Sequence, residues 1–134
     1  MEILDLTSFE KSISSLDSII KRYDKENDID IRDAVIQRFE YTYSLALKML
    51  KRFFKQTSLS DEEVNGMTFN EMIRTANRFG LLMSNLEVWN LYRLNRNMTS
   101  HTYDEETAKK VVNVIPDFKK EAEFLLNKLK EKQS

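Results

Sequence analysis

The chain contains no cysteine, which excludes disulfides, a thiolate metal site and a cysteine nucleophile. It has one histidine, His101, too few for a multi-histidine metal site within one chain. Two glycines and one proline are too few for a turn-rich all-β protein. Gly66 and Gly80 lie far apart, and neither opens a GxGxxG or P-loop pattern that would cradle a phosphate. No apolar run approaches the ~20 residues needed to span a bilayer. The start, Met1-Glu2-Ile3-Leu4-Asp5, is acidic where a secretory signal would be basic. We therefore expect a soluble, cytoplasmic protein without membrane contact, metal or cofactor. Formal net charge is −1, so any nucleic-acid contact must come from a local patch.

What is present reads as helix. The 134 residues suit one domain, 1–134, with a real core. Thr7-Ser8-Phe9-Glu10 fits a capping box, and Phe9, Ile13, Leu16, Ile20 and Tyr23 follow as one apolar stripe. A second helix is predicted from about Ile31 to Lys55, with Asp28 or Asp30 as its cap. Its apolar residues cover more than one stripe, so it should be central and buried on two sides. Glu40 and Tyr41 sit between those stripes. Gln56 to Met67 reads as a polar loop with a turn at Ser60. Capping boxes at Thr68-Phe69-Asn70-Glu71 and Ser84-Asn85-Leu86-Glu87 open two more helices, the first stopped by Gly80. Asp104 caps the last stretch, where Pro116 either kinks one helix or starts another. The sum is an all-α, up-and-down bundle of about five helices.

Arg96-Asn97-Met98-Thr99-Ser100-His101-Thr102-Tyr103 stands out against this scaffold. It brings together a guanidinium that can grip phosphate, an imidazole that can move protons, and a phenol. On a continuous helix, residues five apart point roughly 140° away from each other. Arg96 and His101 can converge only if the helix ends between them. Thr99 and Ser100 favour such an end, because their hydroxyls compete for backbone hydrogen bonds. The competing reading is that His101 only closes a helix end, where its charge suits the dipole.

Lys48, Lys51, Arg52 and Lys55 share a face of the second helix. They are either a solvated face complementing the helix dipole or an RNA-contacting patch. Trp89 and Tyr92 are either core and interface residues or a base-stacking platform. With the broad second helix, they predict more apolar surface than one bundle buries, and hence a homodimer.

Arg96, Asn97, Ser100, His101 and Tyr103 form R-N-x-x-S-H-x-Y, which resembles the R-x4-H-x-Y motif of the HEPN superfamily. Phe39-Glu40-Tyr41-Thr42-Tyr43, Leu45-Ala46 and Lys48 look like the F-E-Y-T-x-x-L-A-x-K signature of its HepT-like branch, the nucleotidyltransferase substrate-binding protein family. Glu105-Glu106-Thr107-Ala108 continues the similarity, which runs from roughly Ile13 to Leu129. Leu47 and Ser44 depart from the tryptophan and glutamate of many members.

The resemblance implies a HEPN-like homodimer with the motif facing the dimer cleft, encoded beside a small nucleotidyltransferase. It implies two functional alternatives. One is a metal-independent endoribonuclease toxin, silenced when the partner transfers AMP to the motif tyrosine, Tyr103. The other is a non-catalytic subunit that binds substrate for that enzyme. The residue chemistry suits the first. Arg96 would stabilise phosphorane charge, His101 would transfer protons, and Asn97 would orient His101 or bond a phosphate oxygen. One histidine does not readily serve as base and acid in one step, and a two-fold dimer would supply two. The chain is not itself a nucleotidyltransferase. Neither glycine is followed by serine, and Asp-x-Asp occurs only at Asp28-Ile29-Asp30, in a polar linker.

Overall fold

The computed structural model describes residues 3–57 and 59–133; Met1 and Glu2, part of the acidic start, lie outside them. Among the described residues there are six α-helices: α1 (Thr7–Glu26), α2 (Ile29–Lys55), α3 (Asp61–Asn65), α4 (Phe69–Arg78), α5 (Leu86–Met98) and α6 (Glu105–Gln133). A 3-10 turn, Thr99–His101, separates α5 from α6. None of these helices is long and apolar enough to cross a membrane.

The predicted stripe of α1 is buried at Phe9, Ile13, Leu16 and Ile20. Its expected Thr7 cap is not formed: the N-cap position is Leu6, and the Asp5 carboxylate instead accepts from the Thr7 N–H at 2.9 Å. Asn27 ends α1 in the left-handed conformation, φ 51°, and donates its N–H to the Tyr23 carbonyl. Asp28 then caps α2, accepting from the Asp30 and Ile31 N–H groups, so α2 starts two residues before the predicted Ile31.

As expected, α2 is central. It packs on α1 and α6 and also meets α3, α4 and α5. The predicted turn at Ser60 is the N-cap of the short helix α3, closed by a reciprocal capping box with Glu63. Thr68 caps α4, and Gly80 stops it at φ 73°. There the Gly80 N–H bonds the Asn77 carbonyl and the Leu81 N–H bonds the Ala76 carbonyl, a Schellman closure that a left-handed glycine makes without strain. α6 runs unbroken through Pro116, so no second helix starts there.

Phe118 of α6 is the hub of the core. Its ring meets Phe39 and Tyr43 of α2 at 5.2 and 5.9 Å, and Tyr92 and Trp89 of α5 at 5.4 and 6.0 Å. Replacing a buried phenylalanine by alanine costs about 3–5 kcal/mol. Here the substitution would also loosen α5 from α2. Trp89 and Tyr92 are 0% and 2% exposed. They are therefore core, closed inside one bundle, and neither a stacking platform nor leftover apolar surface. The Tyr92 phenol is pushed up to about 12, chiefly by burial. The exposed apolar residues of α5 are its neighbours Leu91 and Leu94, 47% and 55% exposed.

Candidate functional site

α5 delivers the motif, and both of its ends are held. Its N-cap is Asn85, whose side chain accepts from the Val88 N–H at 3.2 Å. The predicted cap, Ser84, lies one position before the observed one, and its N–H is held from another helix. The Glu121 carboxylate, wholly buried in α6, accepts from the Met83 and Ser84 N–H groups at 2.7 and 3.3 Å.

At its other end α5 stops at Met98, between Arg96 and His101, as the Thr99-Ser100 pair predicts. The Thr99 hydroxyl donates to the Arg96 carbonyl at 2.8 Å and accepts from the Arg96 guanidinium at 3.2 Å. One buried threonine thus fixes both the helix end and the arginine side chain. The Thr102 hydroxyl then donates to the Thr99 carbonyl at 3.1 Å, and the Asp104 N–H to the His101 carbonyl at 3.1 Å.

Beyond the turn, His101 is exposed and Tyr103 is 88% exposed. Their rings meet edge to face, centroids 6.2 Å apart. Asp104 caps α6 as predicted, accepting from the N–H and hydroxyl of Thr107, and these bonds hold its carboxyl below the usual range. Arg32, 6% exposed at the start of α2, makes a two-pronged bond to Glu105 at 2.7 and 3.0 Å. Those hydrogen bonds lower the Glu105 carboxyl below its ordinary value and raise Arg32. They tie the segment after His101 to the central helix.

Arg96 is half-buried and has a second partner that sequence reasoning missed. The Glu40 carboxylate of α2 lies 3.6 Å from its Nη1. The available signal was a lone carboxylate between two buried stripes. Among the described residues, no hydrogen bond or ion pair joins Arg96 to His101 within one chain. Arg96 and Asn97 instead line a cleft of about 660 Å³ between α2, α4 and α5. Tyr43 lines it too, its phenol pushed up to about 12 by burial against the opposing pull of Arg93 and Arg96.

The four-cation patch is divided. Lys48 and Lys51 line the cleft with Arg96, whereas Arg52 and Lys55 line a separate recess beside Leu4, Asp5 and Asp61. Arg93, one turn before Arg96, joins the cleft and was not singled out in the sequence. Among the described residues, no three His, Asp or Glu side chains are grouped to hold a metal ion.

A bundle wrapped on one central helix, with a guanidinium before a helix break and an exposed imidazole and phenol after it, defines the HepT-like class of HEPN bundles. The chain belongs to the family described as "Nucleotidyltransferase substrate binding protein like", whose model matches residues 4–131. It is similar to a protein called probable ribonuclease HepT from Haemophilus influenzae, 34% identical over 138 residues, covering 96% of this chain and 94% of that one. Among solved structures, it resembles HI0074 from Haemophilus influenzae, described as the fold of a substrate binding domain of a nucleotidyltransferase. That match has a TM-score of 0.87 at 34% identity, over 94% of this chain and 99% of the other. A protein from Thermus thermophilus matches with a TM-score of 0.72 at 30% identity, over 90% of this chain and 98% of that one.

Proposed function

We propose that the chain is a metal-independent endoribonuclease toxin of the cytoplasm, paired with a small nucleotidyltransferase that silences it. The observation that carries this reading is the helix break at Met98, which leaves Arg96 half-buried beside a cationic cleft and His101 in solvent. In the reaction, the ribose 2′-oxygen attacks the adjacent phosphorus and the bond to the 5′-oxygen breaks, giving a 2′,3′-cyclic phosphate and a 5′-hydroxyl. Arg96 stabilises the phosphorane charge. His101 takes the 2′-hydroxyl proton, and His101 of the second copy in a homodimer gives one to the leaving oxygen. Asn97 bonds a phosphate oxygen. The exposed Tyr103 phenol is the site to which the partner transfers AMP. The name of the Haemophilus relative supports the ribonuclease assignment, and the family description supports the nucleotidyltransferase partner.

The family description also favours a second reading, a non-catalytic subunit that presents substrate to the transferase. One experiment separates the two. Purified wild type is expected to cleave RNA in EDTA and leave 2′,3′-cyclic phosphate ends, with His101→Ala and Arg96→Ala inactive but still helical. Equal RNA decay by wild type and His101→Ala would reject the nuclease and leave the binding subunit.

A further inference from the structure

The cleft between α2, α4 and α5 carries a charge imbalance that the fold does not offset. Lys48, Lys51, Arg93 and Arg96 line it, and no carboxylate does among the described residues. Of the four, only Arg96 has an ion-pair partner among the described residues, Glu40. Lys48 and Lys51 are one turn apart on α2, as Arg93 and Arg96 are on α5. Like charges at that spacing repel and destabilise their helices. Two such pairs around one cleft are relieved by an anion.

The rest of the lining is not what a bare anion needs. Met67 and Met72 form an apolar wall, and the Arg93 guanidinium carbon sits 4.8 Å from the centroid of the Phe69 ring. Polarizable thioethers and an arginine–aromatic stack are surfaces on which a planar base rests. At about 660 Å³ the cleft lies within the ~300–1,000 Å³ typical of ligand pockets. A paired base is sealed in its duplex, so only an unstacked strand can place a base here.

We propose that this cleft is a subsite for single-stranded RNA, holding the nucleotide next to the cleaved phosphodiester. Its phosphate rests on Lys48 and Lys51, and its base lies against Met67, Met72 and the Arg93–Phe69 stack. Arg96 and Asn97 line the cleft too, so it is continuous with the motif. Every residue of the subsite comes from one protomer, so binding here does not require the second copy. That this phosphodiester is cleaved rests on the ribonuclease reading; strand binding in the cleft is measured without cleavage.

The test uses full-length His101→Ala protein, which binds without cutting, and a short fluorescein-labelled single-stranded RNA read by anisotropy at several salt concentrations. Tight, salt-dependent binding is expected. Adding Lys48→Glu and Lys51→Glu should weaken it about tenfold or more and flatten the salt dependence, since each single-strand phosphate contact contributes a slope of about −0.7. If that variant loses helicity, Lys48→Gln with Lys51→Gln serves instead. Adding Phe69→Ala should weaken binding and leave the salt slope unchanged. The same sequence as a duplex should bind poorly. Unchanged affinity in the lysine variants overturns the proposal. AMP binding with no binding of the strand also overturns it, and makes the cleft a mononucleotide site. Because His101 is absent throughout, a failed nuclease assay leaves this result standing. Conversely, an active nuclease whose KM is unmoved by the lysine changes sinks the subsite alone.

Discussion

Glu40 Oε2 lies 3.6 Å from Arg96 Nη1, and each side chain is a little over one-third exposed. An ion pair this open contributes about 0–1 kcal/mol to stability. Its larger effect is on Arg96, which is partly neutralised and aimed before any phosphate arrives. In the proposed reaction Glu40 would be a positioning residue that also competes with substrate. Glu40→Gln should change stability by less than ~1 kcal/mol. It should lower KM, because phosphate no longer displaces a carboxylate, and lower kcat, because the guanidinium is less fixed. Glu40→Asp should restore part of kcat. Cleavage rates measured across RNA concentrations decide it; identical KM and kcat in wild type and Glu40→Gln would reduce the pair to a surface contact.

The dimer expectation now rests on other residues than Trp89 and Tyr92, which are core. Leu91 and Leu94 share one face of α5, about one and a half and half a turn before Arg96, and stand in solvent in one protomer. Sedimentation at micromolar concentration should give a dimer for wild type and a monomer for Leu91→Glu with Leu94→Glu. The variant should keep its helicity and lose cleavage, having one imidazole where two are needed. A monomeric wild type would end this reading.

Tyr103 projects from the connection between the 3-10 turn and α6, 88% exposed and with its ring against that of His101. In the proposed AMP transfer its hydroxyl oxygen would attack the α-phosphorus of ATP, with pyrophosphate leaving. The new phosphodiester charge near the motif would compete with RNA for cationic groups, as phosphorylation does near arginine. Incubation with the neighbouring transferase, ATP and magnesium should add AMP mass to wild type and none to Tyr103→Phe. Circular dichroism should not change. An equal gain in Tyr103→Phe would move the modification elsewhere.

Acid stability should report the Arg32–Glu105 clamp. The Glu105 carboxyl is lower in the folded chain than in the unfolded one, because Arg32 hydrogen-bonds its ionised form. Its contribution is therefore present above the unfolded value, ~4.3, and is lost as pH falls through the depressed folded value. Glu105→Gln should lower the urea midpoint at pH 7, where a buried guanidinium loses its charged partner. At pH 3 the gap between wild type and variant should be smaller. An equal gap at both pH values would show that the clamp is not electrostatic.

Periodicity made the long elements legible. The α1 stripe is buried where its three-four spacing put it, α2 is central as its broad apolar coverage predicted, and the break after α5 was written in Thr99 and Ser100. The errors came from neighbouring candidates for one role. Thr7 and Ser84 read as caps, yet α1 starts from Leu6 with the Asp5 carboxylate on the Thr7 N–H, and Asn85 caps α5. No local rule ranks Ser84 against Asn85, since both side chains make good caps, and the Glu121 contact at Ser84, 37 residues away in sequence, is invisible to local patterns. Glu40 and Arg93 were missed for a related reason. Each matters only once α2 and α5 lie side by side, and that distance is set by Phe118, on a third helix.

The buried Glu121 carboxylate reaches back to the backbone at Met83 and Ser84, where α5 is about to begin. α5 is 13 residues long, a bar of about 20 Å at 1.5 Å per residue. A tilt of a few degrees at its anchored start becomes an ångström or more at Arg96. The site is therefore not portable. A transplant of residues 84–104 into another helical frame would carry every motif side chain and lose their aim, because the sight is mounted on α6.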